Sequence, residues 1–136
     1  IWSFNLRNEF ANDGPDSWTQ RREGVAELIL QHKPAVVCTQ EATPGMLRDL
    51  LRTLGSDNYS FVGNPRSEHP NDETAGMLYH QGQVHLEQHE TRWLNPPGSA
   101  IYEPGWDAQF PRTLELATFA VASEPHHRVR VLNTHF

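Results

Sequence analysis

The chain has 136 residues, 37% hydrophobic and 21% charged, which suits one globular domain and excludes a disordered segment. Its 17 acidic and 11 basic residues give a formal charge of −6, which weighs against a non-specific nucleic-acid binder, since such proteins grip phosphates with a basic face. No apolar run approaches the ~18 residues of a membrane helix, and the opening Ile1-Trp2-Ser3-Phe4 lacks the basic-then-apolar pattern of a signal peptide.

Ile1 to Leu6 sets Trp2, Phe4 and Leu6 against Ile1, Ser3 and Asn5, the period of a strand with one apolar face. Arg7 to Asp16 reads as a loop, punctuated by Asn12-Asp13-Gly14-Pro15. A first helix follows. Ser17 and Gln20 have capping-box spacing, Trp18, Val25, Leu28 and Ile29 supply an apolar stripe, and Pro34 ends the helix near His32. Ala35 to Thr39 reads as a buried strand, with Cys38 an inert buried thiol. As the only cysteine, it leaves no intrachain disulfide and no cysteine-built zinc site. A lone buried cysteine suits a cytoplasmic protein and a disulfide-free secreted one alike. The second helix starts on Thr43 with Pro44 at its first position, buries Met46, Leu47, Leu50, Leu51 and Leu54, and stops at Gly55.

Strand-like runs fill the remainder: Tyr59 to Gly63, Ala75 to His80, Val84 to Leu94, Leu114 to Ala122 and Arg128 to Thr134. Between them lie the loops Asn64 to Thr74 and Asn95 to Pro111, and long ordered loops in compact domains usually carry function. The order strand, helix, strand, helix, then strands predicts an α/β (α+β) domain. Its sheet should be mixed and mostly antiparallel, with two helices on one face.

Three polar residues fall at strand ends, where open α/β sheets collect ligands: Asn5, Glu41 and His135. A carboxylate beside an amide and an imidazole can hold a hard cation and a phosphate. Taken singly, such residues are more often turn or surface groups. Other conspicuous groups have plain readings. Arg21 and Arg22 read as a solvated helix face, Trp18 and Trp93 as core, and His126 and His127 as a turn pair. His85 and His89 would share a face on a helix and suggest zinc. In a strand they point the same way but lie well apart, which disfavours a shared metal.

Short strings change the weighting. Ser3-Phe4-Asn5-Leu6-Arg7 resembles the opening motif of the endonuclease/exonuclease/phosphatase superfamily. Thr39-Gln40-Glu41-Ala42 is similar to its metal-ligand motif, and Val131-Leu132-Asn133-Thr134-His135-Phe136 to its NTH motif. Asp13-Gly14, Trp18, Arg21, Arg22, Arg92-Trp93-Leu94, Gly105-Trp106-Asp107 and Pro111-Arg112 resemble a bacterial branch, so the resemblance spans Ile1 to Phe136.

The resemblance implies the N-terminal half of a four-layer α/β sandwich. Residues 1–136 would be a single partial domain, carrying one of two sheets and truncated on its C-terminal side. Such a lone sheet would expose its inner face. The remaining C-terminal half would bring Asp-x-Asn and Asp-His motifs that complete the site, so this chain alone should be inactive. The implied activity is Mg2+- or Mn2+-dependent hydrolysis of phosphoester or phosphodiester bonds, as a phosphatase, phosphodiesterase or nuclease. Glu41 would ligate the metal, with Asn5 beside it orienting metal and phosphate. His135 would donate to phosphate oxygens, and Glu73 would fix its imidazole. Arg112 would clamp phosphate, Trp106 would stack on substrate, and Asn133 would support the His135 loop within the substrate-binding set. The substrate would be a small molecule, a lipid head group or a nucleic acid, with net acidity favouring the first two. A non-catalytic binding module that keeps the fold is the competing reading. An unrelated α/β domain is a third, and it predicts that Asn5, Glu41 and His135 do not converge.

Overall fold

The computed structural model describes residues 1–136. Strand β1 (Trp2–Asn5) leads through a loop to helix α1 (Trp18–His32), then β2 (Val36–Gln40), α2 (Pro44–Leu54), β3 (Tyr59–Val62), β4 (Met77–His80), β5 (Val84–Trp93), β6 (Thr113–Val121) and β7 (Glu124–Thr134). The strands form two ladders. One is four-stranded, ordered β1-β2-β4-β3, with β1 parallel to β2 and the other pairs antiparallel. The other is the antiparallel meander β5-β6-β7. The α/β class and the mixed, mostly antiparallel pairing agree with the sequence reading, but the strands divide between two sheets where one was expected.

The division follows from burial. All five residues of β2 are buried, because both of its faces are covered. On one face Val37 and Leu78 join Leu6, Trp18, Ile29, Met46, Leu47, Leu50 and others in a core of 13 buried residues, with Trp2 and Phe4 packed against it. On the other face Val36, Cys38 and Met77 meet Val84, Ala117, Phe119 and Val131 of the meander. The layers are therefore helices, four-stranded sheet, three-stranded sheet. The meander covers the inner face at β2 and β4, where a bare face was expected, while Ile1, Ser3 and Asn5 along β1 stay exposed.

Local chemistry explains most boundaries. Thr43 caps α2 by accepting the Met46 N–H at 3.1 Å, Pro44 occupies its first position, and Gly55 closes it at φ 85°. Helix α1 starts where expected but without the capping box, since the Ser17 hydroxyl meets that of Thr19 and caps nothing. Its stripe uses Ala26 in place of Leu28, which is 40% exposed. Strand β7 begins at Glu124, directly after the hairpin turn at Ala122 and Ser123, so His126 and His127 are strand residues and not a turn pair. A bulge between Leu86 and Gln88 breaks the alternation of β5. His85, opposite Ala120, is exposed, while His89, opposite Ala117, faces the buried layer, so the two do not point the same way. A Cβ on Gly63, at φ 139°, would lie 2.8 Å from Gly76 Cα, so glycine is what lets the two stems of the 64–74 loop meet. No helix is long and apolar enough to cross a membrane.

Candidate active site

Parallel pairing of β1 with β2 sets Asn5 beside Gln40, so the polar ends of both strands emerge at one edge. There Glu41 takes a left-handed backbone, φ 57°. A non-glycine residue in that region costs of order 1 kcal/mol and is held only by its surroundings. Those surroundings are specific. The Glu41 carboxylate accepts from Asn5 Nδ2 at 2.8 Å and from the Asn8 N–H at 3.1 Å. Burial alone would push the Glu41 carboxyl up. The Asn5 amide, the Asn8 N–H and the positive charge of His135 and Arg7 outweigh it and hold the group below the usual carboxylate range.

The network continues away from Glu41. Asn8 Nδ2 donates to Glu73 Oε1 at 2.7 Å, and Arg66 donates to Glu73 Oε2 at 2.7 Å and to Asp72 at 3.1 Å. The Arg66 guanidinium also lies over the Phe110 ring, 4.9 Å from its centroid. Glu41, Arg66, Glu73, Thr74, Arg112 and His135 line one shallow cleft. Arg66 is paired with two carboxylates, whereas the Arg112 guanidinium forms no ion pair within the chain.

His135 reaches this cleft because β7 is clamped just before it. Asn133 donates to the carbonyls of Thr39, Ala75 and Gly76 at 2.7 to 2.9 Å and accepts from Gln40 Nε2 at 2.8 Å. It is 4% exposed and its amide is fully engaged. Asn133 is thus spent on three backbone carbonyls and Gln40 two residues before His135.

The structure thus brings Asn5, Glu41, Glu73, Arg112 and His135 to one region. Two expected relations differ. Glu73 bonds to Asn8 and Arg66 and makes no hydrogen bond to His135. Trp106 is 74% exposed, at φ 53°, and is not part of the cleft wall. Arg21 is no solvated residue: it donates to the carbonyls of Asp16, Leu6 and Arg7 and ties α1 to the loop after β1. Arg22 pairs with Asp49 of α2. Trp18 is core, and Trp93 is half-buried with its indole donating to the Arg66 carbonyl. Sequence reading missed Asn8, Arg66 and Thr74. Asn8 directly follows the opening motif and was within reach of inspection. Arg66 and Thr74 carry no motif and enter only because their loop folds over the strand ends.

The donor set suits a hard cation. No cluster of three acidic, histidine or cysteine side chains is poised to cage an ion. Magnesium needs no such cage, since it keeps several waters and is commonly held through one or two carboxylates. Glu41 supplies one, ionised, with the Asn5 side chain against it. The buried Thr74 hydroxyl, without a partner, adds a polar atom to the same wall.

Comparison with known proteins agrees with this geometry. Residues 2–128 match the Endonuclease/Exonuclease/phosphatase family. An endonuclease/exonuclease/phosphatase from Bacteroides vulgatus is 26% identical and superposes with a TM-score of 0.91 over 99% of this chain and 51% of its own. The mannosyl-6-phosphatase Bt3783 of Bacteroides thetaiotaomicron is 25% identical, with a TM-score of 0.88 over 98% of this chain and 49% of its own. Nocturnin of Drosophila melanogaster is 27% identical over 86 residues, 57% of this chain and 13% of that protein. The chain thus spans about half the length of these solved relatives and a smaller share of the curated one.

Proposed function

This chain belongs to the Endonuclease/Exonuclease/phosphatase family, whose members are hydrolases of phosphoesters, and from that premise we propose that its cleft binds a phosphoester and a magnesium or manganese ion for hydrolysis. The observation that carries the reading is the meeting of Glu41, Arg112 and His135 in one cleft, with Glu41 held in a strained backbone by Asn5 and Asn8.

Glu41 would be the metal ligand, and Asn5 would orient it. The bound ion would offset phosphate charge and lower the pKa of a coordinated water. Arg112, free of protein carboxylates, would clamp two phosphate oxygens. His135 would donate to a phosphoryl oxygen on which charge grows as the bond to the leaving group breaks. Glu73 would hold Arg66 and Asn8 in place. A small phosphate ester is favoured as substrate by the net charge of −6 and by the likeness to a mannosyl-6-phosphatase.

Calorimetric titration of Mg2+ or Mn2+ into the chain and into its Glu41→Ala variant tests the metal assignment. Binding in the parent and none in the variant is the expected result. Equal binding in both would move the metal elsewhere, and no binding in the parent would overturn the assignment for this chain.

A further inference from the structure

Glu115 is the one carboxylate that is fully buried, at 0% exposed. It sits on β6 two residues beyond Thr113, which lines the cleft, and two before Ala117 of the inter-sheet core. A buried carboxylate survives only with partners, and those of Glu115 lead in one direction. Its Oε2 accepts from the Thr91 hydroxyl at 2.7 Å and faces His89 Nε2 at 2.6 Å. Its Oε1 faces the Asn64 N–H at 3.4 Å. Asn64 Nδ2 in turn donates to Thr91 Oγ1 at 2.8 Å, so Thr91 relays between Asn64 and Glu115. Two residues on, the Arg66 carbonyl accepts from the Trp93 indole at 2.8 Å, and the Arg66 N–H bonds the Glu73 carbonyl at 2.9 Å. The start of the 64–74 loop is thereby tied to alternate residues of β5, at Thr91 and Trp93, with Glu115 beneath.

We infer that Glu115 is a positioning residue: with Thr91 and His89 it anchors the 64–74 loop to the meander and so sets where Arg66 and Glu73 stand in the cleft. The functional consequence rests on the phosphate-binding reading of that cleft; the anchoring itself does not. The contact also gives His89 a task unrelated to metal. A pair that merely stabilised the sheet interface would have no reason to reach Asn64.

The test follows the side-chain N–H signals of Trp93, Arg66 and Arg112 by nitrogen-15 NMR, during titration with inorganic phosphate. Thr91→Val removes the relaying hydroxyl at nearly constant volume, Thr91→Ser keeps it, and Glu115→Gln removes the charge without changing shape. Thr91→Val and Glu115→Gln are expected to shift the Trp93 indole signal and to lose the phosphate response at the arginines, while Thr91→Ser behaves as the parent. Thr91→Val and Glu115→Gln chains with parental Trp93 and Arg66 signals would overturn the inference. Should Thr91→Val fail to fold, Glu115→Gln decides. A parent without any phosphate response would sink the cleft reading alone, because the Trp93 and Arg66 signals still report whether Glu115 holds the loop.

Discussion

The two faces of the four-stranded sheet have been given different work. The helix-side face is apolar almost throughout, with 13 buried side chains drawn from both helices and three strands of the sheet, among other segments. On the opposite side seven buried apolar residues, four of them from the meander, are joined at the end nearest the cleft by buried polar ones: Gln40, Thr113, Glu115 and Asn133. The first face is held by non-directional burial, at about 1.5–3 kcal/mol for each large side chain. The second is held in part by hydrogen bonds whose directions matter, and it is the one that delivers His135 and the 64–74 loop to the cleft. A site needing sub-ångström placement is better served by directional contacts than by apolar packing.

Substitutions on the two faces should therefore separate stability from placement. Leu50→Ala, in the centre of the helix-side core, is expected to lower unfolding free energy in urea by about 2–5 kcal/mol. It should leave the His135 imidazole signal in place below the transition. Asn133→Ala is expected to lower stability by less, about 1–3 kcal/mol, since three backbone carbonyls lose a donor. It should move the His135 signal more than Leu50→Ala does. The reverse order in both readouts would erase the distinction drawn here.

The smallest effect concerns Cys38, on the inter-sheet face. Burial pushes its thiol up. The folded chain therefore keeps a neutral thiol where an ordinary cysteine, with a pKa of about 8.5, is already ionising. The sign follows: this contribution to stability is whole below that pH and falls as the pH rises above it, when only the unfolded chain releases its proton. Alkylation at about pH 8 should proceed no faster than unfolding allows, and rapid labelling of the native chain would show the meander to be loosely seated.

Much of the site was legible because its residues lie in short strings whose backbone roles are local. Asn5 and Glu41 end adjacent parallel strands, and a strand–helix–strand order already brings such ends together. The cap at Thr43 and the stop at Gly55 were equally local. The errors have physical causes. Arg21 looked like a surface residue because helix periodicity does not reveal three carbonyls waiting on another segment. His85 and His89 were assigned one face because a bulge has no fixed sequence signature. Glu73 was matched to His135 by motif, whereas the fold gave it to Asn8 and Arg66.

The sequence by itself determined the α/β class, both helices and the strand runs, and it named the residues proposed to carry phosphoester chemistry, because periodicity, caps and short motifs act over a few neighbours. Only the tertiary structure decided that the strands split into two stacked sheets. It also decided that Asn133 is spent on backbone, that Arg112 is left without a carboxylate, and that Glu115 reaches the 64–74 loop. Those outcomes depend on which buried polar group finds which partner across 24 to 94 residues of chain, and no local pattern encodes that.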